Sequence, residues 1–210
     1  MRILHLFCGT GSLHKPFAEN GWEVSALDLD PRNANIVCDV LKFEYQNEPV
    51  PDVLWAGCPC EAYSCANTRG KRNLKLADSL VEKTWEIISY FLKKNEQLLW
   101  FVENPFSSML WRRAVSFNLT PRVTFDACTY GALWRKRTRI ATNAPWNPRE
   151  LCDPKTCHAC VDKKHIRTAQ RGSQKGCKNE SCTLDELHGY PRQLCDEVYR
   201  VCAHHTWEIL

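Results

Sequence analysis

Val53-Leu54-Trp55-Ala56-Gly57-Cys58-Pro59-Cys60 decides the reading of this chain. Four apolar residues run into a glycine turn that carries two thiols. A second run, Leu98-Leu99-Trp100-Phe101-Val102, ends in Glu103-Asn104-Pro105. Short apolar runs bounded by turn residues read as buried strands. Together in one sheet, these strands carry a thiol and a carboxylate to their C-terminal ends, where open α/β sheets bind ligands. That pair suits attack on a pyrimidine ring. The sulfur adds to the ring, and the acid holds the ring-nitrogen edge and makes the ring electrophilic.

Outward from this stretch, strands and helices alternate. Residues 2–7 read as a strand and Gly9-Thr10-Gly11-Ser12 as a tight turn. A short helix follows with Leu13 and Phe17 on one face, closed by Asn20-Gly21. Residues 23–28 form the next strand. A helix is predicted over about 80–94 from a Ser79/Glu82 capping box, an apolar face of Val81, Trp85, Ile88 and Leu92, and a basic end at Lys93-Lys94. Further strands are expected at 98–103, 122–127 and 138–142. A last helix begun by Pro191 turns Leu194, Val198 and Val201 inward. The pattern predicts an α/β fold with a parallel sheet and helices on both faces. Residues 144–185 break the rhythm: they are polar, rich in Cys, Lys, Arg and Gly, and show no apolar period.

With 210 residues, 44% of them hydrophobic, the chain is sized for one globular domain with a small appendage. No apolar run approaches a membrane span, and residues 2–7 are too short for a secretory signal core, so an intracellular protein is expected. Thirteen cysteines without a secretion signal argue for reduced thiols or metal rather than disulfides. The net charge of +4 is mild, but Arg135-Lys136-Arg137-Thr138-Arg139 and the group Arg69, Lys71, Arg72 and Lys75 concentrate it near the proposed site. That distribution favours a phosphate-bearing partner.

Phe7-Cys8-Gly9-Thr10-Gly11 directly follows the first strand, where a glycine turn lets a ligand approach the backbone. Asp28 ends the second strand, the usual place for an acidic residue on ribose hydroxyls. No third glycine follows at the dinucleotide spacing, which favours a mononucleoside-like cofactor. Asp39, after Val37-Cys38, reads equally as a cap on an adenine amino group or as a turn cap.

Four blocks occur in order: Phe7-Cys8-Gly9-Thr10-Gly11; Gly57-Cys58-Pro59-Cys60-Glu61-Ala62-Tyr63-Ser64; Glu103-Asn104-Pro105; and Arg135-Lys136-Arg137-Thr138-Arg139. The series resembles the C5-cytosine DNA methyltransferases and covers about residues 1–143. The resemblance implies a compact, Rossmann-like S-adenosylmethionine-dependent methyltransferase. Its nucleophile would be Cys60, with Glu103 on the N3/N4 edge of a flipped cytosine and Arg137 and Arg139 beside the base. Cofactor contacts would fall on Phe7, Cys8, Gly9, Gly11, Ser12, Leu13, Asp28, Leu29, Asp39, Val40 and Pro59. Arg137, Arg139 or a helix N-terminus would lower the thiol pKa. Cys58 reads as packing. Glu61 and Pro105 stand where the family has Gln and Val, and His188-Gly189-Tyr190-Pro191 takes the place of its Gly-Asn element, near the cofactor.

In the Cys-rich stretch, Cys152, Cys157, Cys160 and His165 have spacings that suit structural Zn2+, with Cys177 as an alternative fourth ligand. The expected organisation is a catalytic domain over 1–143, a zinc-binding target-recognition lobe over 144–187, and a C-terminal helix over 188–210 that packs back. Double-stranded DNA is the expected partner, through Ser64, Arg69, Arg72, Arg167, Gln170 and Arg171; a protein partner is left open. RNA cytosine-C5 methylation, or DNA binding with little catalysis, are the competing functions.

Overall fold

A computed structural model describes every residue except 66, 68, 69, 170–179 and 208–210, so Arg69, Gln170, Arg171 and Cys177 lie outside the described residues. Seven strands form one sheet: β1 (Arg2–Leu6), β2 (Glu23–Asp28), β3 (Ile36–Val37), β4 (Val53–Gly57), β5 (Leu99–Pro105), β6 (Arg122–Asp126) and β7 (Arg137–Thr142). Their spatial order is β3-β2-β1-β4-β5-β7-β6. The β1–β2, β2–β3, β1–β4 and β4–β5 pairs are parallel, and β7 runs antiparallel between β5 and β6. The short link from β6 to β7 contains only a 3-10 turn, Ala127–Tyr130, and no crossover helix, so the two strands must be antiparallel.

Side-chain alternation sends the two faces of each strand into separate cores. In β4, Leu54 and Ala56 join Leu4, Leu6, Trp100 and Val102 beneath helix α2 (Leu74–Leu92). Val53 and Trp55 join Ile3, Phe101, Phe125 and Ile140 against α1 (Lys15–Glu19) and α4 (Arg192–Trp207). Leu194 and Val198 are buried in that second layer, as expected. The helix α2 buries Ala77, Val81, Ile87, Ile88 and Phe91; truncating the fully buried Phe91 to Ala would cost about 3–5 kcal/mol.

The predicted alternation is only partly realised. Residues between β2 and β4 form β3 and two 3-10 turns, Val40–Lys42 and Tyr45–Asn47, in place of helices. The helix α2 starts at an Asn73 cap, whose side chain accepts the Leu76 N–H, well before the expected Ser79. Ser79 instead donates its hydroxyl to the Leu76 carbonyl. A capping box does form at Thr183 and Glu186, opening α3 (Leu184–His188). The Cys-rich stretch contains a hairpin of β8 (Cys160–Val161) and β9 (Lys164–His165), turned by Asp162 and Lys163 at positive φ. It also contains a short parallel pair, β10 (Arg167–Thr168) and β11 (Glu180–Ser181).

Candidate active site

The register of β4 and β5 pairs Gly57 with Glu103, so both chains leave the sheet at one place. The Asn104 side chain donates to the Cys58 carbonyl (2.8 Å) and ties the thiol turn to β5. Cys58 is buried with its Sγ 3.7 Å from Thr84 Oγ1, a packing role as expected, whereas Cys60 is half-buried and lines a cleft of about 320 Å³. Glu103 lines the same cleft although only 6% of it is exposed. Its Oε2 accepts the Tyr190 hydroxyl (3.1 Å), which in turn accepts the Trp55 indole N–H (3.3 Å). Its Oε1 is buried without a hydrogen-bond partner. Gly57 makes room for this hydrogen-bond chain: an added Cβ would lie 3.1 Å from the Tyr190 hydroxyl, which would have to shift by a few tenths of an ångström.

Burial pushes the Glu103 carboxyl above its ordinary range, opposed by the Lys136 charge and the Tyr190 hydrogen bond. Burial also pushes the Cys60 thiol up; Glu61 and Glu103 add to this, and Lys136 opposes it. The charge that opposes burial at Cys60 is thus Lys136, rather than Arg137 or Arg139. Arg137 gives Nε and Nη2 to the fully buried Asp126 at 2.9 and 2.7 Å. Arg139 stacks over Phe106, its guanidinium carbon 4.3 Å from the ring centre, and reaches toward Trp111 at 5.8 Å. Neither Arg137 nor Arg139 lines the cleft; the cations that do are Arg32 and Lys136, the latter with its Nζ held by the Leu187 carbonyl at 2.8 Å. Lys136 belongs to the basic block 135–139, where nothing in the sequence separates it from the arginines.

Of the expected cofactor residues, Phe7, Cys8, Gly9, Asp28, Leu29, Asp39, Val40 and Pro59 line the cleft with Cys60 and Glu103. Phe7 sits at φ 57, a strained conformation for a bulky residue and one that clusters at functional sites. Asp28 accepts the Gly9 N–H (2.9 Å) and the Asp30 N–H (3.0 Å), which fixes the glycine turn. Asp39 caps the Val40–Lys42 turn through the Leu41 N–H and also lines the cleft. His188 and Tyr190 line it too, where the sequence placed them.

Three members of the set lie elsewhere. Leu13 is fully buried with Phe17 and Trp22, because the helix that follows the turn points it into the core. Gly11 packs against His14 and Asn33. The Ser12 hydroxyl accepts the Tyr190 N–H (2.9 Å) and so anchors the C-terminal segment. Two expected nucleic-acid residues serve the protein itself. Arg72 donates to the Ala62 and Asn67 carbonyls and shapes the turn after Cys60. Arg167 pairs with both carboxylate oxygens of Glu186 and with the Ser181 carbonyl. Ser64 is half-buried in the turn after Cys60.

Away from the cleft, ligand atoms of Cys128, Cys152, Cys157 and His165 lie within 4.8 Å of one another. Cys128, which stands in place of the expected Cys160, comes from the link between β6 and β7. Cys160 Sγ lies 3.5 Å from His165 Nδ1, the ring nitrogen opposite to that facing Cys152 and Cys157.

No protein-family model and no curated protein matches this chain. Solved structures do. A protein assigned as a DNA modification methyltransferase encoded within an E. coli prophage superposes with a TM-score of 0.51 at 19% identity, covering 68% of this chain and 46% of that one. A mutant DNMT2 of Spodoptera frugiperda gives 0.44 at 14% identity, with 71% and 54% covered. The Dnmt2 methyltransferase of S. pombe gives 0.46 at 13%, with 77% and 57% covered. The fold is a Rossmann-like methyltransferase fold. The chain spans about half the length of these structures. Among the described residues no helix is long and apolar enough to cross a membrane.

Proposed function

We propose that this chain transfers a methyl group from S-adenosylmethionine to C5 of a cytosine in DNA, through a covalent Cys60 adduct. The observation that carries the reading is Glu103. A buried carboxylate oxygen without a partner is costly, and here it stands in a cleft shared with a reachable thiol. A cytosine N3/N4 edge would give that oxygen its missing partner.

The residues present also fit the cofactor. Asp28 and Asp39 each retain acceptor capacity beyond the backbone N–H groups they hold, and an added Cβ at Gly9 would meet no atom within 4 Å. Asp28 would take the ribose hydroxyls, and Asp39 and Val40 the adenine edge. When bound, the cofactor would supply the methyl group.

The chain's own residues divide the remaining work. Cys60 must lose its proton before Sγ bonds to C6 of the ring, and Lys136 is the positive charge that favours the thiolate. Burial keeps Glu103 protonated to higher pH, so it can donate to N3 as electron density moves onto the ring. After methylation a base, water in the open cleft, takes the C5 proton, the C5–C6 double bond re-forms and the Sγ–C6 electron pair returns to Cys60 as thiolate.

The test is trapping on DNA containing 5-fluorocytosine with S-adenosylmethionine present. Fluorine cannot leave as the proton does, so a stable adduct is expected, and it should vanish in Cys60→Ser. An adduct on RNA alone would move the substrate to RNA. No adduct on either would favour a binding protein and overturn the reading.

A further inference from the structure

We propose that Cys128, Cys152, Cys157 and His165 hold one Zn2+, and that this ion fastens the Cys-rich lobe to the catalytic sheet. The sequence suggested a metal held within the lobe. Cys128 changes what the ion would join, because it belongs to the turn that follows β6.

The geometry suits the metal. His165 Nε2 lies 3.5 Å from Cys152 Sγ and 3.7 Å from Cys157 Sγ. Tetrahedral zinc with Zn–S of about 2.3 Å and Zn–N of about 2.0 Å sets sulfur and nitrogen about 3.5 Å apart. Three sulfurs and an imidazole are a soft donor set that selects zinc over magnesium or calcium. Cys160 Sγ, at 3.5 Å from His165 Nδ1, stands where a second-layer acceptor fixes the ring tautomer and leaves Nε2 for the ion. The β8–β9 register pairs Cys160 with His165 and holds that contact.

The site reaches the active cleft by a short route. Asp126 Oδ2 accepts both the Cys152 N–H (3.0 Å) and Arg137 Nη2 (2.7 Å). One buried carboxylate thus joins a ligand-bearing segment to the first residue of β7, and Lys136 immediately precedes it. The ion would hold Cys152 in place, and so help to hold the start of β7. Among the described residues the lobe buries few apolar side chains (Trp146, Ala159 and Cys182), so the ion would add to hydrogen bonds such as that of the Arg167 N–H to the Leu133 carbonyl.

The measurement is elemental analysis of the full chain purified without chelator, beside Cys128→Ser, Cys160→Ser and the buried-cysteine control Cys202→Ser. About one zinc per chain is expected in the parent, Cys160→Ser and Cys202→Ser, and well under half in Cys128→Ser. Co2+ substitution gives a second readout: the thiolate charge-transfer band of Cys128→Ser should fall by about a third, three sulfurs becoming two. Zinc-free parent protein, or full zinc with an unchanged band in Cys128→Ser, would overturn the proposal. So would loss of zinc in Cys160→Ser with retention in Cys128→Ser. If Cys128→Ser does not fold, alkylation of the parent decides. Chelation should expose Cys128, Cys152 and Cys157 to reagent together while Cys202 stays protected; an unreactive Cys128 would sink the assignment.

Discussion

Replacing Glu103 with Gln should make the protein more stable and inactive. Two opposed effects act on the carboxyl: burial disfavours its charge, while Lys136 and Tyr190 favour it. Burial wins, since the net displacement is upward. Its Oε1 has no partner, and an unsatisfied buried polar group costs about 1–3 kcal/mol, more when charged. Gln keeps the shape and the Tyr190 acceptor but removes the charge, which should recover about 1 kcal/mol. For a chain of this size that is a melting-point rise of about 2–4 °C. The sign follows from proton linkage. With the folded pKa raised, the native state holds the proton more tightly than the unfolded chain, and stability falls as pH rises from 4.5 through the folded value. The gain from Gln should therefore be full at pH 8 and vanish below about pH 4.5. Scanning calorimetry of both proteins from pH 4 to 8 reads this directly. Methyl transfer should drop by roughly 10²–10⁴-fold, the usual scale for losing a positioned acid. A Gln variant that melts no higher than the parent at pH 8, or a difference that ignores pH, would refute the account of Glu103.

Lys136→Met should push the Cys60 thiol further up, because it removes the charge that opposes burial, Glu61 and Glu103. Alkylation of Cys60 against pH should then turn on at higher pH than in the parent; an unchanged or lower midpoint would show that Lys136 does not reach the sulfur. Asp28→Ala strips the acceptor from the Gly9 and Asp30 N–H groups and from the proposed ribose contact. Cofactor affinity by calorimetry should weaken about tenfold or more, at about 1.5 kcal/mol for such a hydrogen bond, and unchanged affinity would discount the ribose assignment.

The parallel half of the sheet was legible because it is written locally. Apolar runs such as 53–56 and 98–102 bury both faces, and turn residues bound them. Cys60 and Glu103 were legible for the same reason, as strand ends of a parallel sheet converge. The start of α2 was not. Ser79 and Glu82 match a capping pattern, but the apolar face already begins at Ala77, and Asn73 supplies an earlier cap. The choice of cation was hidden as well. Period-two alternation in β7 turns Arg137 and Arg139 to one side, where buried Asp126 and the Phe106 ring hold them. Lys136 stands one residue before the strand, at its mouth. Cys128 carried no spacing signal at all, because its partners come from another segment and meet it only through the fold.

The late part of the chain is not an accessory to the cleft. Lys136 is held by the Leu187 carbonyl, and Tyr190, anchored by Ser12, hydrogen-bonds Glu103. The two groups that oppose burial at Glu103 thus depend on residues 187–190. A division at residue 143 follows the sequence blocks but cuts the charge balance of the site. With residues 187–190 displaced, Glu103 would keep one ally against burial, an unheld Lys136, and Cys60 would lose the fixed position of the charge that favours its thiolate. The thiol and the carboxyl come from β4 and β5, where burial raises both; a lysine at the mouth of β7 opposes this at both groups, and a tyrosine just before α4 opposes it at the carboxyl. A variant that loosens this late segment should therefore alter the pH dependence of Cys60 before it alters the sheet.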